Sequence, residues 1–136
     1  MERTTARLRS VLCRAEQLDV RALADLGLAP RHYALLDLLQ DGPVARQHEI
    51  GAAIGLDRST TATLVRRLAD RGLVRRTPMP GNNRVLVLEL TEAGDALRAA
   101  GARLLGDSER CLLGPLTPDE RDQLRHVLDR LLEVAS

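Results

Sequence analysis

The stretch HEIGAAIGLDRSTTATLVRRLADRGLV, residues 48–74, restricts the chain more than any other segment. Apolar residues recur at helical spacing on both sides of Gly55-Leu56-Asp57, and two helices joined by a glycine-containing turn of about three residues form a helix-turn-helix. The pattern predicts a short helix from about Arg46 to Ile54, with Ile50, Ala53 and Ile54 inward, and a longer helix from Arg58 to about Arg71. Asp57 can cap the second helix by accepting hydrogen bonds from the backbone N–H groups of Ser59 or Thr60. Thr61, Leu64, Val65, Leu68 and Ala69 share one arc of that helix. Arg58, Ser59, Thr60, Thr63, Arg66 and Arg67 are left outward or flanking.

Beyond Gly72, LVRRT and RVLVLELT read as strands, and PMPGNN between them supplies a turn. A strand pair directly behind a helix-turn-helix is a wing. Upstream, Leu8, Val11, Leu12, Ala15, Leu18 and Ala22 predict a first helix over roughly residues 4–24. Pro30 suits the first turn of a second helix, PRHYALLDLLQ, which stops at Asp41-Gly42-Pro43. Downstream, TEAGDALRAAGARLLGDSERCLL carries Ala93, Leu97, Ala100, Leu104 and Cys111 along one side. Its glycines, Gly94, Gly101 and Gly106, either weaken the helix or permit close approach by another. TPDERDQLRHVLDRLLEV opens on a capping box, Thr117 with Glu120 and Pro118 at the first position, followed by a stripe of Leu124, Val127, Leu128, Leu131 and Leu132.

The expected fold is therefore mainly α with a small β-hairpin wing. One domain spans 1–136, with a winged helix-turn-helix over 30–90 flanked by helices over 4–24 and 92–135. In a monomer the stripes of these outer helices would be only partly covered. Intertwined helices from two copies would cover them, and a two-fold dimer is the commonest closed arrangement. A monomeric helical cap is the competing reading.

The formal net charge of +1 hides an asymmetry. From Asp57 to Arg84 there are seven arginines against two acids, while the rest of the chain holds 13 basic and 17 acidic residues. A basic zone on an otherwise acidic protein is the footprint of a nucleic-acid contact surface. A solvated helix face is the competing reading. Tyr33 is the one aromatic residue, which argues against single-stranded nucleic acid, where bases stack on several rings. No phosphate-cradling glycine loop, nucleophile elbow or metalloprotease helix occurs, so an enzyme is not expected and no cofactor is implied. Cys13 and Cys111 lie far apart, and His32, His48 and His126 have no metal-ligand spacing. No apolar run approaches the roughly 20 residues that span a bilayer, and the polar N-terminus has no secretory anatomy. A cytoplasmic protein is expected.

LGLAP (26–30), HEIGAAIGLDRST (48–60), LVRRLADRGLVRR (64–76) and LELTEAG (88–94), in this order and spacing, resemble the MarR family of bacterial transcription regulators. The resemblance implies a repressor that binds double-stranded DNA as a homodimer, with the terminal helices as the interface. Each recognition helix and wing would meet one half of a palindromic site. Ser59, Thr60 and Thr63 would reach base edges, and Arg66 and Arg67 guanine or phosphate. Arg58 flanks them, Arg75 and Arg76 on the first wing strand would touch phosphate, and Arg84 at the wing tip would enter the minor groove. Competing structural roles are capping for Ser59 and Thr60, and ion pairing for Arg67 and for Arg71, the latter with Asp70 or another acid.

Three departures from the family pattern matter. Ala29 and Ala45 stand at expected helix N-caps where relatives often carry Ser or Thr. The wing reads Asn82-Asn83-Arg84 where the family pattern has an Asp two residues before the Arg, so neutral hydrogen bonds should hold Arg84. Ala62 and Thr63 are small where relatives are often bulkier, so the operator sequence does not carry over. The resemblance also implies release of DNA by a small anionic or phenolic effector, or by an oxidant. A pocket between the outer helices and the winged helix would be lined by Arg14, Gln17, His32, Tyr33 and Leu36. Arg14 would attract an anion and His32 would hydrogen-bond, against a solvent-facing Arg14 and a packing Tyr33. Cys13 does not match the cysteine of peroxide-sensing relatives in position, and a lone cysteine in an apolar stripe reads as an inert core residue. A winged helix used only for protein binding is the remaining alternative, and it would not need so many arginines.

Overall fold

The computed structural model describes residues 2–134. Met1, Ala135 and Ser136, which the expected spans 1–136 and 92–135 include, lie outside the described residues. The chain runs α1 (Thr4–Ala24), α2 (Pro30–Leu38), β1 (Val44–Ala45), α3 (Gln47–Ile54), α4 (Arg58–Asp70), β2 (Val74–Met79), β3 (Asn82–Leu90), α5 (Glu92–Leu113) and α6 (Pro118–Val134). It is the mainly helical, winged architecture the sequence predicts.

The core forms where α2, α3 and α4 meet the sheet and the end of α1. Leu23, Leu35, Leu36, Ile50, Val65, Leu68 and Leu88 are all fully buried there. On α4 the predicted arc holds, with Thr61, Leu64, Val65 and Leu68 buried and Ala69 half-buried. On α3 Ile50 and Gly51 are buried and Ile54 packs half-buried against the core, as expected for Ile50 and Ile54, while Ala53 is exposed, contrary to the periodic reading. The reason is the α3–α4 crossing. A Cβ at Gly51 would collide with the Thr61 hydroxyl and stand 3.0 Å from the Leu56 carbonyl oxygen. Only glycine lets the two helices come this close, and Gly55 in the left-handed region (φ 75°) ends α3 for the turn. The buried Thr61 hydroxyl donates to the Asp57 carbonyl at 2.7 Å, so no polar group is stranded.

Helix α2 stops at Leu38, before the predicted Asp41-Gly42-Pro43. Ala29 does take the α2 N-cap position, where it offers no side-chain oxygen. The imidazole Nδ1 of His32 compensates by accepting the Ala29 N–H at 2.8 Å.

The sheet has three strands in the order β1-β3-β2, one more than expected. Val44 pairs with Leu88 and Ala45 with Val87, a strand too short to show any period. Because Ala45 is in this strand, it is not a helix N-cap. That place belongs to Arg46, the one non-glycine with positive φ among the described residues (φ 66°). The hairpin turn is Pro80-Gly81 alone, with Met79 opposite Asn82. The next pair is Pro78 with Leu86, so Asn83, Arg84 and Val85 stand outside the ladder register. Such a bulge re-aims side chains.

Helix α5 presents Gly94 and Gly101 to its neighbours, whereas Ala93 and Cys111 of the expected stripe are exposed. Gly94 lies against the backbone of Leu73, and a Cβ at Gly101 would sit 3.0 Å from Cδ2 of Tyr33. These two glycines serve close approach. Thr91 caps α5, accepting the Gly94 N–H at 3.0 Å and donating to the Gly72 carbonyl at 2.6 Å. On α6, Thr117 and Glu120 exchange the two hydrogen bonds of the predicted capping box, at 3.0 and 3.2 Å.

The outer helices leave apolar surface in water. Leu8, Val11, Leu12 and Val20 of α1 are 43–58% exposed, and Val127, Leu128, Leu131 and Leu132 of α6 are 39–70% exposed. Cys13 is also exposed and not a core residue, because it lies among these uncovered positions of α1. Among the described residues no helix is long and apolar enough to cross a membrane.

Candidate nucleic-acid interface

Asp57 organises the start of α4. Its carboxylate accepts the Thr60 N–H at 2.7 Å and the Ser59 hydroxyl at 3.2 Å. The Thr60 bonds, with help from Ser59, hold its carboxyl below the usual range. Capping is thus done by Asp57, and the Ser59 hydroxyl is turned onto it. The Thr63 hydroxyl donates to the Ser59 carbonyl at 3.0 Å. With these two protons engaged, Ser59 and Thr63 have only acceptor lone pairs left, and Thr63 carries a methyl group beside them. The Thr60 side chain also lies against the Asp57 carboxylate and helps to hold its pKa down.

Arg66 and Arg67 are exposed, and neither has an ion-pair partner among the described residues. Arg67 and Thr63 border a notch of about 210 Å³ shared with Arg31 and His32 of α2. Arg71 has a structural role, but its partners are not acids. Its guanidinium donates to the carbonyls of Gly27 at 2.8 Å and Leu26 at 3.3 Å, tying the end of α4 to the α1–α2 turn.

On the wing the arginines diverge. Arg75 stands opposite Glu89 in register and pairs with it at 2.9 Å, so its charge is already engaged. Arg76, opposite Leu88, is exposed with no ion pair among the described residues. Arg84 lies in the bulge, three residues past the turn. Asn82 Oδ1 accepts the backbone N–H of Arg84 at 3.2 Å. Asn82 therefore shapes the bulge and, contrary to expectation, does not hold the guanidinium. Arg58 and Arg84 face one cleft of about 460 Å³ between the helix-turn-helix and β3. Arg46 and His48 line it as well. Both lie outside the arginine-rich stretch that drew attention in the sequence, and the two-residue strand that positions them has no sequence period.

The five residues expected to line an effector pocket do not converge. Leu36 is a fully buried core residue. The Tyr33 hydroxyl donates to Asp37 Oδ1 at 3.2 Å, and burial, with Asp37 beside it, pushes its pKa up. His32 is occupied as a cap, and burial first, then Arg31, Arg71 and Arg67, push its pKa down. Arg14 and Gln17 are exposed on α1. A separate groove of about 400 Å³ between α1 and α5 is lined by Leu18, Asp19, Leu105 and Glu109, among others, and by none of the five. Among the described residues no group of three His, Cys, Asp or Glu side chains could hold a metal ion.

Comparison with known proteins gives a consistent result. Residues 28–86 match the model of the MarR family. The HTH-type transcriptional repressor NicR of Pseudomonas putida is 29% identical over 126 residues, covering 93% of this chain and 80% of that one. A probable transcriptional regulator from Pseudomonas aeruginosa has a solved structure that superposes with a TM-score of 0.83 at 32% identity, covering 96% of this chain and 97% of that one. The transcriptional repressor CouR, solved bound to a 23-mer DNA duplex, superposes with a TM-score of 0.87 at 29% identity, covering 98% of this chain and 93% of that one.

Proposed function

We propose a function from one premise: this chain belongs to the MarR family of winged helix-turn-helix transcriptional regulators, DNA-binding proteins and not enzymes. It acts in the cytoplasm as a repressor, as NicR and CouR are named to be. Two copies associate through α1, α5 and α6 and bind a palindromic operator, one half-site per copy.

The observation that carries this reading is the set of unengaged charges on the recognition helix and the wing, two of which, Arg58 and Arg84, share one cleft. Arg58, Arg66, Arg67, Arg76 and Arg84 are all exposed, and none has a salt-bridge partner among the described residues. By contrast Arg75 on the wing, and Arg98 and Arg110 on α5, are each paired with an acid. In the complex, Ser59, Thr60 and Thr63 meet base edges in the major groove while Arg66, Arg67 and Arg76 take phosphates. Arg84, carried out by the bulge, enters the minor groove and reads its width. The small Ala62 and Thr63 shift selectivity toward the arginines and DNA shape.

A small anionic or phenolic effector releases the DNA. Of the residues first considered, His32 is best placed, because it borders the notch beside Thr63 and Arg67. Binding to duplex DNA of random sequence, titrated from low to high salt, tests the core of the reading. Affinity should be measurable at low salt and fall steeply as salt rises. No binding at low salt would favour a protein-interaction module instead. A footprint on the DNA flanking its own gene would then give the half-site and its symmetry.

A further inference from the structure

Arg46, at the α3 N-cap but with no side-chain capping hydrogen bond, combines three features. Its backbone is left-handed at φ 66°, a conformation that a side chain disfavours and that glycine adopts freely. Its side chain is 64% exposed, and Glu49, its one ion-pair partner among the described residues, is 3.9 Å away and itself largely exposed. It borders the cleft that also holds Arg58 and Arg84. The cleft draws its walls from three elements: the start of α3, the start of α4 and the bulged part of β3. The pairing of Val44 and Ala45 with Leu88 and Val87 fixes their spacing, because it leaves Arg46 beside the strand that carries Arg84.

We infer that Arg46, with Arg58 and Arg84, seats the phosphodiester backbone of DNA in this cleft, between the groove read by α4 and the groove entered by the wing. The inference rests on the proposed DNA-binding reading and adds to it a contact residue from outside the recognition helix and the wing. Three guanidiniums around one concavity repel each other in the free protein, and Glu49 at its distance offsets little of that repulsion. A phosphate placed among them accepts charge-assisted hydrogen bonds from the guanidinium forks and removes the repulsion. Such a contact carries no base information, so it strengthens binding to every sequence alike.

The backbone geometry supplies an unusually clean test. Replacing Arg46 by glycine removes the guanidinium and also relieves the left-handed strain, so Arg46→Gly should melt at or above the wild-type temperature. Loss of DNA binding then cannot come from unfolding. Wild type, Arg46→Gly and Arg46→Lys are compared on duplex DNA of random sequence over a range of salt concentrations. Arg46→Gly should bind more weakly, with the slope of log affinity against log salt shallower by about 0.9 for each copy bound. Arg46→Lys, which keeps the charge but not the fork, should fall between them. Unchanged affinity and slope in Arg46→Gly, with wild type binding normally, would overturn the Arg46 contact and leave the DNA-binding reading intact. Absence of wild-type binding at low salt would overturn both.

Discussion

Gly94, in the first turn of α5, lies directly against the carbonyl of Leu73, the residue that leads from the recognition helix into the wing. A further hydrogen bond, from the Thr91 N–H to the same Leu73 carbonyl at 3.1 Å, locks the junction between the wing and α5. Backbone cannot rotate aside as a flexible side chain can, so a methyl group here forces the two segments apart. Gly94→Ala should destabilise the protein by about 1–3 kcal/mol, the usual range for overpacking. Gly106→Ala is the opposite case, since a Cβ there meets only Arg110 Nη1 at 3.8 Å. It should raise stability by roughly 0.5–1 kcal/mol through helix propensity. Urea unfolding of both variants checks the contrast, and equal effects would mean the Gly94 contact is slack.

The same pair shows where sequence reasoning stops. Period and capping signals marked every helix and the two long strands, because burial on one face repeats every three or four residues over many turns. Gly94 sits next to Ala93 in that pattern, and apolar periodicity favours the alanine. Which of two adjacent small residues faces a neighbour depends on how close the neighbour comes, a tertiary fact. Ala53 and Gly51 on α3 differ from expectation for the same reason. β1 was illegible because two residues have no period, and its absence moved the α3 N-cap from Arg46 to Ala45. In the interface, the outward set on α4 was readable from helix geometry. That Arg75 is held by Glu89, and that Arg46 joins Arg58 and Arg84, depended on strand register, which the turn alone did not reveal.

His32 should make stability depend on pH. Burial and the nearby Arg31, Arg71 and Arg67 lower its folded pKa below 6.5, the ordinary value it regains on unfolding. The unfolded chain therefore binds the proton more readily, and the contribution of neutral His32 is complete above about pH 6.5. It is lost as pH falls through that value toward the folded pKa, because a protonated Nδ1 can no longer accept the Ala29 N–H. His32→Gln supplies an amide oxygen for the same hydrogen bond without titrating. Melting temperatures from about pH 5 to pH 8 should decline on the acid side for wild type and decline less for His32→Gln. Parallel curves would show that the cap contributes nothing.

The wing arginines should separate by function. Arg84→Ala removes a guanidinium with no partner among the described residues, so the free protein loses little and DNA affinity and its salt dependence fall. Arg76→Ala should behave likewise and equally on all sequences, as a phosphate contact would. Arg75→Ala breaks a mostly exposed pair with Glu89, worth about 0–1 kcal/mol of stability, and should weaken DNA binding less than Arg76→Ala. A larger affinity loss for Arg75→Ala than for Arg76→Ala would mean that Arg75 leaves Glu89 for the DNA.

The outer helices give the most direct test of assembly. Leu12 on α1 and Leu131 on α6 are 58% and 55% exposed, in stripes that water alone would solvate poorly. Covering a valine or leucine side chain fully is worth roughly 1.5–3 kcal/mol, and five leucines and three valines on these two helices, each about half covered already, retain enough of that to oppose the cost of association. Leu12→Glu and Leu131→Glu place a charge in the proposed dimer interface, where its desolvation would oppose association. Each variant should shift from dimer to monomer by light scattering at concentrations where wild type is dimeric. Helix content by circular dichroism should be largely retained, since neither position is buried within one copy. DNA affinity should drop steeply, because a monomer engages one half-site and loses the effective concentration that links the second. A wild-type chain that is monomeric at such concentrations, or variants that stay dimeric, would reject α1 and α6 as the interface.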